Sequence, residues 1–375
     1  MSTSSDLIAL TRKLISFNTI NPPGQERKCA HYIAKLLEAG GFKVRLFEFE
    51  EARTSLVARS GNGGQLPICF TGHIDTVPLG ASPWHTDPFK GEIGGDKIYG
   101  RGSTDMKGGV AAMILAAVSI LKTAKNNAPI TLVITAGEET GSQGAKHLAG
   151  LNNALGRAGA LVVAEPTSNY PLIAHKGALW LEAQTTGITA HGSMPDQGEN
   201  AIYKAVDVLR KLMKIEFPAS AHPLLGKPTL NVGTISGGLN INSVPDRTTI
   251  GIDIRTIPSQ TNENIFSWMK SCLGEDVLLK RIVDVGSVAT DPELEWVQKV
   301  FDITSPFLGE RPGPRGVNYF TDASVLTPAY ENVPTVILGP GEAQMAHKTD
   351  EYCCISKIEQ SFEIYSELLR KWCNL

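Results

Sequence analysis

The chain has 375 residues, 42% of them hydrophobic and 19% charged, which is enough apolar content to fill two ordinary cores. Its formal net charge is −3 and its sequence pI about 6.3, so charge supplies no bulk attraction to nucleic acid or to an anionic membrane surface. A small-molecule ligand is the better expectation. Six cysteines, Cys29, Cys69, Cys272, Cys353, Cys354 and Cys373, show no C-x-x-C spacing and read as reduced thiols filling the core, which suits a cytoplasmic location.

At the N-terminus Leu7, Ile8, Leu10, Leu14 and Ile15 recur at helical spacing, interrupted by Asp6, Arg12 and Lys13. Charges inside the apolar stretch argue against a signal peptide, and no stretch approaches the roughly 18 apolar residues of a membrane span. The periodicity predicts helices over 6–16 and 26–40, the second closed by Gly40 and Gly41, then strands at 43–49, 54–59 and 66–70. A long glycine-rich loop follows to Gly109, then a helix from about Val110, a strand over 130–135, a short helix near 143–149 and a strand over 160–164. Strands alternating with helices predict an α/β domain, a sheet layered between helices, with ligands at the strands' C-terminal ends.

From residue 178 the pattern changes. An alternating strand at Leu179 to Thr185 precedes a helix over 200–213, strands at 229–235 and 247–254, a helix over 262–273 and a strand over 277–285. The order β-α-β-β-α-β is that of a ferredoxin-like α+β unit, compact enough to be inserted. After Asp291 the first pattern returns, with a helix near 292–303, a strand at Thr335 to Leu338 and a helix from about Ser356 to Trp372. The expected division is therefore a discontinuous domain, 1–177 with 289–375, interrupted by an inserted one at 178–288.

Five residues of ligand type lie in loops that follow or closely trail apolar runs: His73, Asp105, Glu139, Glu165 and His347. Parallel strands bring such ends together, and two imidazoles with three carboxylates suit borderline divalent metals, zinc first, with cobalt or manganese as alternatives. With one carboxylate bridging, five side chains can hold two metals and leave room for a water whose pKa they lower. Singly, each residue has a plainer reading. Asp105 could cap the following helix, and Glu138 with Glu139 could be a surface acidic pair.

The stretches GHIDTVP, GRGSTDMKGG, GEETGSQGA, AEPT, AHGSMP and GPGEAQMAHKTDEY resemble, in order, the signatures of the dinuclear-metal amidohydrolases and peptidases that include acetylornithine deacetylase, succinyl-diaminopimelate desuccinylase, aminoacylase and glutamate carboxypeptidase. The resemblance covers nearly the whole chain, the insert included. It implies that His73, Asp105 and Glu165 hold one metal, and that Asp105 bridges to a second completed by Glu139 and His347. It further implies that Asp75 orients His73, that Glu138 is the general base, and that the peptide after Asp105 is cis. His191 would stabilise the oxyanion from the other subunit of a homodimer formed through the inserted lid domain. Arg255 and Asn240 would bind the substrate's carboxylate, against plainer readings as a surface ion pair and a turn residue, while Lys176 is as readily a solvated lysine near the insert.

Two departures stand out: Gly137 where relatives often have Asp, and Asn318 to Ser324 in place of a glycine-rich version. The expected activity is hydrolysis of the amide bond of an N-acyl amino acid, of the acetylornithine or succinyl-diaminopimelate type. The alternative is a dipeptidase or glutamate-type carboxypeptidase with the same metals. A phosphoesterase is disfavoured by the absence of a G-x-x-x-x-G-K-[ST] phosphate loop, and a non-catalytic partner by the filled ligand positions.

Overall fold

A computed structural model describes residues 4–61, 64–124 and 128–375. Met1, Ser2 and Thr3, part of the N-terminal stretch weighed above, lie outside the described residues. Among those described, the chain forms two compact units. One comprises Met1–Ala174, Ala289–Arg315 and Thr321–Leu375; the other comprises His175–Val288 and Gly316–Phe320.

In the first unit the apolar runs become the strands Ile68–His73, Ile130–Thr135 and Ala160–Val163, buried along their whole length. They lie side by side in a six-stranded sheet whose order is Lys43–Glu50, Arg53–Arg59, Ile130–Thr135, Ile68–His73, Ala160–Val163, Thr335–Ile337. The last four run parallel, and the first two pair antiparallel at one edge. Helices pack on both faces, which is why the central strands are apolar without alternation. The parallel direction places the segments after His73, Thr135, Val163 and Ile337 at one end of the sheet.

The helix Gly108–Thr123 is buried almost throughout, packed on the strand Ile68–His73 and on the C-terminal helix Ile355–Cys373. By length and composition Ser103–Thr123 passes as a membrane crossing, yet 89% of its apolar window is buried inside the fold. The long loop also holds more structure than expected, with a hairpin of Glu92–Gly94 and Lys97–Tyr99 joined by Gly95-Asp96. A third strand, Tyr352–Cys354, pairs with this hairpin.

The second unit has a four-stranded antiparallel sheet ordered Thr229–Gly237, Arg247–Thr256, Gly177–Thr186, Val277–Val285. The helices Ala201–Leu212 and Asn262–Leu273 pack on one face around Leu179, Leu181, Ile250, Ile252, Ile254 and Met269. Asn200 starts the first helix by accepting from the N–H groups of Ile202 and Tyr203, and Thr261 starts the second by accepting from that of Asn264. Gly316–Phe320 belongs to this unit: the Lys176 N–H donates to the Val317 carbonyl, and Trp180 meets the Phe320 ring edge-on at 6.3 Å.

One close approach holds the first unit's helix to its sheet. A Cβ on Gly109 would lie 2.3 Å from the Ala164 carbonyl oxygen, backbone that cannot move aside. Gly109→Ala is therefore expected to lower stability by about 1–3 kcal/mol in urea unfolding, the usual cost of overpacking. An unchanged midpoint would mean that the helix and the end of the strand separate freely.

Candidate metal centre

Each parallel strand delivers its polar residue just as the sheet's hydrogen bonding ends. His73 is the last residue of its strand and is buried; its Nδ1 lies 2.9 Å from the Asp75 backbone carbonyl, which makes Nδ1 the donor and turns Nε2 inward. The Asp75 carboxylate is farther, at 3.5 Å from Nδ1. Its oxygens instead accept from the N–H groups of Glu138 and Glu139, at 3.1 and 3.2 Å, and from Asn21 Nδ2 at 2.9 Å. Asp75 thus ties the turn after Thr135 to the end of the neighbouring strand. Gly137, where relatives often have Asp, begins that turn at φ +75°, in the left-handed region.

Asp105 does not cap the helix. It sits in the irregular turn Ser103–Lys107 at φ −122° and ψ 90°, followed by a cis peptide to Met106, and its carboxylate faces two histidines. Oδ1 lies 3.1 Å from His73 Nε2, while Oδ2 lies 3.4 Å from His347 Nε2. His347 Nε2 is also 3.2 Å from Glu139 Oε2, and His73 Nε2 is 3.8 Å from Glu165 Oε1. One carboxylate therefore has its oxygens divided between two imidazoles, each of which has a glutamate on its other side.

Two overlapping groups emerge: His73 with Asp105 and Glu139, and His73 with Glu138 and Glu165, their ligand atoms within 4.8 Å of one another. His73, Glu138 and Glu165 are buried, whereas the His347 side chain is 54% exposed, so the cluster opens on its side. Among the described residues, Glu138 Oε1 and Glu139 Oε1 are buried without a hydrogen-bond partner.

The charges have a physical order. Burial is the largest influence on Glu138 and Glu165 and lifts both carboxyls well above the usual carboxylate range, with nearby acids adding to the rise. Glu139 is raised too, by burial and then by Asp105. Burial also opposes ionisation of Asp105, but the hydrogen bonds from His347 and His73 outweigh it and hold that carboxyl well below its ordinary value. Those contacts raise His347 to about 10. They raise His73 well above the normal imidazole range, against burial.

Buried carboxylate oxygens lacking donors, converging with two imidazole nitrogens, fit a divalent cation better than they fit one another. The nitrogen and oxygen donor set suits zinc, cobalt or manganese.

Three expected residues belong to the second unit. His191 is exposed; its Nδ1 accepts from the Ser193 N–H at 3.1 Å and lies 2.7 Å from Ser193 Oγ, which leaves the ring proton on Nε2. Arg255 is half-buried, with Nε 3.0 Å from Asp253 Oδ1 and its guanidinium over the Phe320 ring. Asn240 is exposed in the turn after Gly237. Lys176, weighed above as a solvated lysine, is buried and donates to the Lys227 carbonyl.

Three residues near the cluster carried no signal of their own. Asp322 is a buried carboxylate whose Oδ2 accepts from Thr135 Oγ1 and whose charge adds to the rise of Glu138 and Glu165. Asn21 holds Asp75, and Glu351 accepts the Asp105 N–H. Glu351 lies within a motif quoted above, and Asp322 within the departing segment Asn318 to Ser324.

Comparison with known proteins bears on the family. The family model described as Peptidase family M20/M25/M40 matches residues 69–371. The chain is 30% identical to an acetylornithine deacetylase of Vibrio parahaemolyticus, covering 96% of this chain and 97% of the relative. It is 29% identical to a probable succinyl-diaminopimelate desuccinylase of Staphylococcus epidermidis, covering 98% of each. Among solved structures, an M20 family metallo-carboxypeptidase from Sulfolobus solfataricus superposes with a TM-score of 0.83 at 18% identity, covering 99% of this chain and 100% of that one. The chain belongs to the M20 peptidase family of metal-binding hydrolases.

Proposed function

We propose that this chain hydrolyses the amide bond of an N-acyl amino acid at a centre of two divalent ions, zinc first, held by His73, Asp105, Glu139, Glu165 and His347. The division of the Asp105 carboxylate between His73 and His347 carries this reading, since it is the arrangement of a bridging ligand. His73 with Glu165 would complete one site, and His347 with Glu139 the other. The ions, when bound, make a water acidic and polarise the scissile carbonyl.

Glu138 takes the water's proton and returns it to the leaving amine. Its burial and its unpartnered Oε1 support that role, because a raised carboxyl pKa suits an acid and base near neutrality. Asp75 orients His73 through its backbone carbonyl and holds the N–H groups of Glu138 and Glu139 through its carboxylate, so ligand and base are set by one residue. His191, with Nε2 left as the donor, meets the developing oxyanion. Arg255 and Asn240 bind the substrate carboxylate; only part of the Arg255 fork is used by Asp253.

The relatives named above favour an acetyl or succinyl group on a basic or diamino acid. The second reading, a dipeptidase or glutamate-type carboxypeptidase, draws on the metallo-carboxypeptidase with the same fold. A homodimer is proposed through the second unit, where Tyr203 on the helix Ala201–Leu212 and Met213 just past its end are 73% and 85% exposed and Leu239 and Ile241 stand open beside the edge strand.

Three outcomes are expected. Glu138→Ala should keep the metal content measured by elemental analysis while kcat falls by about 10²–10⁴, and undiminished turnover would remove Glu138 as the base. On the zinc-loaded chain, a panel of N-acetyl and N-succinyl amino acids should be cleaved faster than dipeptides; preference for dipeptides would reverse the substrate assignment. Tyr203→Glu combined with Met213→Glu should yield folded monomers in analytical ultracentrifugation with activity largely lost, and a fully active monomer would refute His191 acting across subunits.

A further inference from the structure

We infer that Glu351, locked to Arg101, is a positioning residue that sets the carboxylate of Asp105 between the two histidines; this rests on the metal reading proposed above. Glu351 and Arg101 are each about 1% exposed. The carboxylate accepts four donors. Oε2 takes Arg101 NH1 at 2.7 Å and the Gly102 N–H at 2.9 Å, while Oε1 takes the Thr104 N–H at 2.8 Å and the Asp105 N–H at 3.1 Å. Three of the four are backbone groups of the loop that ends at Asp105, and the last is the amide of Asp105 itself.

All four partners can only donate, so the acceptor must present oxygen on both sides. A glutamine would turn its amide nitrogen toward one pair of donors, and neither pair can rotate away. Charge alone does not meet the requirement.

The clamp also reaches the other end of the chain. Glu351 is four residues past His347, and the intervening segment is held by the same parts. Arg101 NH1 lies 3.2 Å from the Lys348 carbonyl, and Arg101 NH2 lies 3.0 Å from that of Pro78. The Gly100 N–H donates to the Glu351 carbonyl at 2.9 Å, and Thr104 Oγ1 donates to the Tyr352 carbonyl at 2.6 Å. Asp105 and His347, some 240 residues apart in the chain, are thereby fixed to one buried carboxylate. Among the described residues, the hydrogen bonds and ion pairs of the Glu351 carboxylate go to Arg101 and the 102–105 backbone, not to either histidine or the base. Its action on the site runs through the backbone of Asp105 and the segment after His347.

The test uses the full chain with zinc ion alone as ligand, measured by chelator competition well below the unfolding temperature, alongside thermal unfolding of the metal-free form. Glu351→Gln should bind both zinc ions at least tenfold more weakly per folded molecule, with kcat reduced far more than KM is changed. A clamp that served stability alone would lower the unfolding temperature and leave zinc affinity as in the unaltered chain, which would overturn the inference. Should Glu351→Gln fail to fold, Glu351→Asp is measured in the same way, since it keeps the charge against Arg101 but withdraws the carboxylate by one methylene. Asp105→Asn separates the two claims. If it loses zinc while the Glu351 variants keep it, only the positioning role falls; if it retains two zinc ions, the metal reading falls and takes this inference with it.

Discussion

Four carboxylates, those of Asp105, Glu138, Glu139 and Glu165, gather in a largely buried basin with the imidazoles of His73 and His347 facing them. Like charges at this spacing, removed from water, repel one another strongly, and in the metal-free chain they respond by shifting their proton affinities apart. The Asp105 carboxyl is held low because both histidines face it, whereas burial raises those of Glu138, Glu139 and Glu165. Such an arrangement is costly for a fold unless cations complete it. Function explains what stability cannot.

The rest of the first unit serves to hold that basin open and in register. A parallel sheet aims four segment ends the same way, and the helix at Gly109 sits against Ala164 so closely that the turn at Asp105 and the residue Glu165 share one scaffold. Asp75 and Glu351 do comparable jobs on opposite sides, each a buried carboxylate spending its oxygens on backbone N–H groups.

Much of this was legible in the sequence because it follows local rules. His73, Glu139 and Glu165 stand where apolar runs stop, and a buried parallel strand is recognisable from such a run. The inserted unit announced itself through alternation in its strands, as at Ile250, Ile252 and Ile254. What escaped notice depends on partners far along the chain. Asn21, Asp322 and Glu351 acquire their surroundings only when distant segments meet, and no spacing around them differs from that of an ordinary loop residue. The helix Gly108–Thr123 was legible as a helix from its apolar run, and a strand and a helix packed against it account for a composition as apolar as a membrane crossing's. Asp253 was hidden likewise: a two-residue neighbour of Arg255 along a strand shares its face, yet the pairing is visible only in the folded sheet.

The most direct test of a shared two-cation centre is anomalous diffraction at the zinc edge from crystals of the zinc-loaded chain. Two peaks about 3.5–4 Å apart are expected. One should lie within about 2.0–2.2 Å of His73 Nε2 and Glu165, the other as close to His347 Nε2 and Glu139, with Asp105 touching both. A single peak, or two peaks that share no contact with Asp105, would contradict the account.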